Sequence, residues 1–456
     1  MLPLPKDHAE REKVRRTLLD ASLVVEAGAG TGKTSLLIDR LFNLLHKFSI
    51  SDIAAITFTE KAAAELCDRM RSRLENELLK TRTKPDARLL RALNDIDHAH
   101  ISTIHSFALS LIRERPFETG IDPDFEHIDE EEEHILLEKL FTKDLSFPNP
   151  ERDKIISNFV LIGGRFSQVK ELLQILYKER ELLPFFNSSI KTEDTSDLFS
   201  RLRFETNRLA SNAREHCTAD DTGRMQIERL AEADPAKIDE NAWKWLFELC
   251  GLDTRSGQQK NWDDSNLSKI QKDDVKNLKA DAQSFLESVR REVLSKLIVY
   301  LSQIIQKTER AKSEKGVLGF QDYLSLSNLS LTNPVTLDYF QNRFKRLLID
   351  EFQDTDPLQV EIAFRLATAK QVAGEVYNSP LEPGRLCLIG DPKQSIYRFR
   401  RADPRIYLHI TELIQKQGNK VQISQNFRSA PGIINFVNSF FTPIWKEVSA
   451  DGTDYA

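Results

Sequence analysis

The chain has 456 residues, room for about three folding units at roughly 150 residues each. Its 40% hydrophobic and 29% charged content is that of a globular protein and excludes disordered and collagen-like classes. A formal net charge of −6 excludes a surface that is basic throughout, so any polyanionic partner must be held in a local groove.

The first seven residues, Met1-Leu2-Pro3-Leu4-Pro5-Lys6-Asp7, turn charged at once, so no secretory leader is expected. No apolar run approaches the ~18 residues of a membrane span. Cys67, Cys217, Cys250 and Cys387 lie far apart without C-x-x-C spacing, which fits a reducing cytoplasm better than a disulfide scaffold or zinc site. Leu23-Val24-Val25 predicts a strand leading into a glycine-rich loop, and Leu37, Leu41, Leu44 and Leu45 follow at helical spacing. A second strand, Ile53 to Phe58, runs into an alanine-rich helix from Lys61 to Leu74. A third, His100 to Thr103, precedes another helical stretch. From about Gly120 to Arg310 the grammar becomes helical. The acidic run Asp129 to Glu133 is read there as a solvated helix start, and Trp243, Trp245 and Trp262 as core. Apolar strands return at Arg346 to Ile349 and Leu386 to Ile389. The pattern predicts one α/β domain with a parallel sheet, interrupted by a large all-helical insertion.

The loop Ala27-Gly28-Ala29-Gly30-Thr31-Gly32-Lys33-Thr34 reads A-x-x-x-x-G-K-T. Its glycines let backbone N–H groups close around phosphates, and the following helix N-terminus favours negative charge. Lys33 is placed to contact the β- and γ-phosphates and Thr34 to put its hydroxyl on Mg²⁺. Asp350-Glu351 at the end of an apolar strand supplies the complementary pair, Asp350 for Mg²⁺ and Glu351 to polarise the attacking water. Together these residues predict ATP hydrolysis.

Six motifs in order carry a resemblance: AGAGTGKT from Ala27, TFTEKAAAEL from Thr57, TIHSF from Thr103, LIDEFQDTD from Leu348, GDPKQSIYRFRRAD from Gly390 and QNFRS from Gln425. In these the chain resembles superfamily 1 helicases of the UvrD/Rep type. The stretch Gly319 to Leu324 is similar to that of the RecB/AddA helicase–nuclease branch. The resemblance implies a RecA-like motor domain acting with ATP and Mg²⁺ on single-stranded and duplex DNA, with 3′ to 5′ translocation. It also implies a helicase–nuclease partner subunit. It assigns Gln394 to sensing the γ-phosphate and coupling it to DNA, and Arg428 to a γ-phosphate contact from a second motor domain. Phe58, Tyr397 and Phe399 would line the single-strand track, where stacking is insensitive to sequence. Thr57, His105, Ser106 and Arg400 would contact phosphates or support those rings.

The resemblance divides the chain into a motor domain over 1–118 and 311–418, a helical insertion over 119–310, and the start of a second motor domain over 419–456. It also leads to the expectation of a longer parent protein carrying further motifs and a nuclease domain; this chain alone would not unwind DNA. Glu10 falls where the UvrD type carries an adenine-reading glutamine. A rival expectation is a non-catalytic DNA-binding or partner-docking protein, against which Lys33, Asp350, Glu351 and Gln394 all count.

Overall fold

A computed structural model of the chain describes residues 4–80, 86–183, 196–233, 235, 240–369, 377, 379–398, 401–417 and 419–448. The chain divides into two compact units, residues 1–128 with 316–456, and residues 129–315. The insertion thus starts and ends later than the expected 119–310. The reason is a short parallel pairing of Glu126–His127 with Val317–Leu318, in which the Glu126 N–H donates to the Gly316 carbonyl and the Ile128 N–H to that of Leu318. Those bonds tie the chain into the first unit up to Ile128.

In chain order the strands are β1 (Leu23–Ala27), β2 (Ile53–Thr57), β3 (His100–Thr103), β4 (Glu126–His127), β5 (Val317–Leu318), β6 (Arg346–Ile349), β7 (Leu386–Gly390) and β8 (Asn419–Ile423). Six of them form one sheet in the order β3-β2-β6-β7-β1-β8, parallel throughout. The five strands predicted for this sheet are present, and β8 is an addition. It pairs with β1 along its whole length, from Leu23 opposite Asn419 to Ala27 opposite Ile423. The first sheet therefore runs past the expected boundary at 418. β8 is an edge strand with only Val421 and Ile423 buried. Its alternating pattern lacks the continuous apolar run that betrays strands covered on both faces.

Because side chains alternate along a strand, the sheet feeds two cores. Val24, Ala54, Ile56, Leu347, Ile349, Leu386 and Leu388 face one layer, which includes residues of the helices Ile104–Glu114, Phe320–Ser330 and Pro357–Ala367. Leu23, Val25, Ala27, Ile53, Ala55, Leu348, Cys387 and Ile389 face the other, packed with the helices Lys33–Leu44 and Glu60–Lys80. The strand registers place Ala27, Thr57, Thr103, Ile349, Gly390 and Ile423 at one carboxyl edge.

The second unit is helical. Its spine is the 51-residue helix Ser265–Lys315, about 77 Å long at 1.5 Å per residue. Leu278 to Val293 on this helix pack with Trp245, Leu246 and Leu249, while Leu297 to Ile305 pack with Leu137, Phe141, Leu173 and Tyr177. Trp245 is core, as expected, and its indole N–H donates to the Leu230 carbonyl at 2.9 Å. The acidic run does open a helix, with Asp129 as cap accepting from the Glu132 N–H. One member departs from the solvated reading. Glu133 is buried and accepts from Lys312 Nζ at 2.7 Å and from the Tyr177 hydroxyl at 3.0 Å.

A buried pair of this kind costs desolvation on both partners, so removing one partner leaves the other charged and uncompensated. Lys312→Ala is expected to destabilise the chain by about 3–5 kcal/mol in urea unfolding. The double change Lys312→Met with Glu133→Leu should recover most of that loss. A double variant as unstable as the single one would show that the ion pair itself supplies the stability.

Candidate active site

The phosphate loop leaves β1 at Ala27, and the helix Lys33–Leu44 starts six residues later. Gly30 and Gly32 take φ of +76° and +81°, a left-handed backbone that side chains with a Cβ rarely adopt. Gly30 is also required by contact, because a Cβ there would lie 2.7 Å from Arg428 Cβ. The segment after β8 lies directly on this loop. The Phe427 N–H donates to the Gly30 carbonyl at 2.8 Å, and Asn426 Nδ2 to that of Ala29 at 2.8 Å. Arg428, itself exposed, is brought beside the phosphate loop by these bonds.

Beneath them lies a buried pair that sequence reasoning missed. Arg11 Nε donates to Asp7 Oδ1 at 2.8 Å, and its Nη2 to the Thr31 carbonyl at 2.9 Å. Asp7 Oδ2 accepts the Ser424 and Gln425 N–H groups. Burial alone would raise the Asp7 carboxyl, but the bonds from Arg11, Gln425 and Ser424 hold it below the usual range. The Arg11 guanidinium sits 5.0 Å from the centre of the Phe427 ring. Glu10, the residue singled out from sequence, instead pairs with Lys13 near the surface. Nothing in the spacing distinguishes Arg11 from its neighbours Glu10 and Glu12.

Across the loop, Lys33 Nζ meets Glu351 Oε2 at 2.9 Å. Glu351 stands at φ +52°, a strained conformation for a residue with a Cβ. Gln353 Nε2 donates to the same Glu351 oxygen at 2.7 Å, and Gln394 Nε2 donates to Asp391 Oδ2 at 2.6 Å. Asp391 in turn approaches the loop, its Oδ2 3.6 Å from where a Cβ on Gly28 would stand. Lys33, Asp350, Glu351 and Gln394 thus lie on connected loops of one sheet edge, and Thr34 lies in the first turn of the loop helix. A left-handed glycine backbone followed by a helix start, with a hydroxyl and a carboxylate on the same edge, is chemistry that suits a phosphate chain and a hard divalent cation.

The residues expected along a DNA track divide. Phe58 and Tyr397 are in contact, with ring centres 4.7 Å apart. His105 lies edge-on to Phe320 at 6.0 Å. Ser106 donates its hydroxyl to Glu60 Oε1 at 2.8 Å, and Thr103 donates to the same oxygen at 2.7 Å. Glu60 therefore orients both hydroxyls, a role its place in TFTEK did not suggest. Thr57 is only 4% exposed and its hydroxyl donates to the Thr59 carbonyl, so it supports the turn from within. Phe399 and Arg400 lie outside the described residues.

Six parallel strands, a left-handed glycine loop and an Asp-Glu pair facing its lysine define a RecA-like P-loop domain with a helical insertion. Residues 7–415 match the family model described as UvrD/REP helicase N-terminal domain, and the chain belongs to that family. It is similar to bacterial proteins named as a subunit of an ATP-dependent helicase/nuclease. The one from Listeria monocytogenes serotype 4b is 30% identical over 92% of this chain and 38% of its own length. That from Ligilactobacillus salivarius is 26% identical over 93% of this chain and 38% of its own length. The chain spans less than two fifths of these relatives.

Desolvation, with the Glu351 carboxylate adding to it and Lys33 opposing, pushes Asp350 up to about 6 from 3.8. The folded chain therefore holds a proton here that the unfolded chain has released, and stability falls as pH rises through this window. Asp350→Asn should stabilise the ligand-free chain at pH 7.5 by about 1–3 kcal/mol. The gain should fade as pH drops toward 4. Calorimetric melting across that range checks it, and a gain independent of pH would contradict the cause given.

Proposed function

We propose that this chain carries the ATP-hydrolysing motor of a DNA helicase acting in DNA repair or recombination, moving 3′ to 5′ along single-stranded DNA. The observation that supports this most strongly is the convergence of the phosphate loop, Asp350-Glu351, Gln394 and the Phe58–Tyr397 pair on one sheet edge. Lys33 and Glu351 share a hydrogen bond, so a phosphate chain in the loop and the carboxylate compete for one ammonium. Once Lys33 turns to phosphate, Glu351 is released to accept the proton of the attacking water while Gln353 still holds one of its oxygens. Thr34 and Asp350 would hold Mg²⁺, which neutralises developing charge on the phosphate oxygens. Gln394 would report on the γ-phosphate, and Arg428 would approach it from the segment that opens the second motor domain. The free cysteines fit a reducing, cytoplasmic compartment. The relatives' names extend the proposal to the whole protein, with a nuclease activity and a helicase–nuclease partner.

Lys33→Ala should weaken Mg·ATP binding by on the order of ten- to a hundredfold, the worth of a charge-assisted contact. Glu351→Gln should bind at least as well as the unmodified chain, because it removes a competitor for Lys33. Titration with a fluorescent ATP analogue reads both, and equal affinity in the unmodified chain and Lys33→Ala would sink the assignment.

On the DNA side, Phe58→Ala and Tyr397→Ala should each weaken oligo-dT binding by roughly 1–3 kcal/mol with an unchanged salt slope, since stacking releases no counterions. Fluorescence anisotropy at several salt concentrations measures this, beside circular dichroism. Loss of fold in both variants would instead make the two rings core residues.

A further inference from the structure

Gln353 is 2% exposed, yet every polar atom of its side chain is engaged in the site. Its Nε2 donates to Glu351 Oε2 at 2.7 Å and to Asp354 Oδ2 at 3.2 Å. Its Oε1 accepts the Asp391 N–H at 2.8 Å, and its backbone carbonyl accepts the Ser395 hydroxyl at 3.1 Å. One residue thus joins the carboxylate facing Lys33 to both ends of the segment Asp391–Ser395. That segment carries Gln394 and continues directly into Tyr397, whose ring touches Phe58. The backbone has made room for the amide. A Cβ on Gly390 would lie 2.6 Å from Gln353 Oε1 and 3.2 Å from the Tyr407 ring, so this position excludes any side chain.

From this geometry we infer that Gln353 is a positioning residue that couples the two ligand sites. It makes the placement of Glu351 depend on the placement of the Asp391–Tyr397 segment, and the reverse. The inference rests on the function proposed above, with nucleotide at Lys33 and a single strand at Tyr397. A side chain with a short, fully occupied amide transmits displacement because neither of its ends can move without breaking a buried hydrogen bond. A nucleotide that draws Lys33 from Glu351 alters the load on Gln353 Nε2. A base that seats against Tyr397 alters the load on Oε1 and on the Ser395 clasp. Coupling of this kind is reciprocal between the two ligands.

The test is a linkage measurement on the full chain, using fluorescein-labelled oligo-dT by anisotropy, without nucleotide and with saturating Mg·AMP-PNP. The unmodified chain should show an affinity ratio between the two conditions of about 5-fold or more. Gln353→Met, which keeps the volume and removes the amide, should bring that ratio to within about twofold of unity while each ligand alone still binds. Ser395→Ala removes only the clasp on the Gln353 carbonyl and should lower the ratio partway; it decides the matter if Gln353→Met fails to fold. An unchanged ratio in the folded variants overturns the inference, even where both affinities fall together, since that is what a merely structural residue would produce. A native chain that binds both ligands with a ratio of one also overturns it, and leaves the proposed function standing. A native chain that binds Mg·AMP-PNP no better than Lys33→Ala overturns the function itself and this inference with it.

Discussion

The site depends on a constraint of backbone geometry: all six strands of the large sheet run the same way. Parallel neighbours must be joined by crossovers that return the chain to the starting edge, so every strand delivers its following loop to the same side. Ala27, Thr57, Thr103, Ile349, Gly390 and Ile423 are therefore neighbours at one rim although nearly four hundred residues separate the first from the last in sequence. The two faces of the sheet bury alternate residues of β1, β2, β6 and β7. A one-residue slip in any strand would exchange its faces and carry its loop out of line.

On that rim the loops are joined to one another by hydrogen bonds between side chain and backbone. Arg11 and Asp7 join the N-terminal helix to the phosphate loop and to the strand end at Ser424. Glu60 draws Thr103 and Ser106 toward the start of its own helix. Gln353 does the same between Glu351 and Asp391. The Arg11–Asp7 and Gln353 junctions use buried polar groups whose unmet hydrogen-bonding capacity would be expensive, whereas Glu60 lies at the surface. The arrangement is specific because alternatives leave such a group without a partner.

The sequence displayed what depends on local pattern. Fully covered strands such as Leu386 to Ile389 read as unbroken apolar runs, and the glycine spacing after Val25 announced a phosphate loop. The helical insertion was visible as a change of periodicity. What stayed hidden depends on partners distant in the chain. β8 buries only alternate residues, so Lys420 and Gln422 masked it. Glu133 looked like its acidic neighbours, and only the helix carrying Lys312 shows that it is inside. Gln353 and Glu60 lay within recognised motifs, but their roles are contacts with Asp391 and Ser106, which no local pattern encodes. Thr57 is similar: the sequence left it between a phosphate contact and a supporting role, and its bond to the Thr59 carbonyl depends on the turn that follows the strand.

The small pairing of β4 with β5 bears on how the first unit can assemble at all. β2 must find β6 across 288 intervening residues, 187 of them in the insertion, which as a flexible loop would by itself lose about 4–5 kcal/mol of closure entropy. The insertion leaves the first unit after Ile128 and rejoins it at Gly316, where His127 already stands opposite Leu318, strands that lie about 5 Å apart. If the helical unit condenses as a body of its own, its two ends are delivered side by side, and most of the entropic loss is met within the insertion rather than by the sheet. To β6, the long excursion then counts as a loop already closed at its base. The order of folding that this favours is insertion before sheet. It ties the rate of forming the sheet's carboxyl rim to the folding of a separate helical unit.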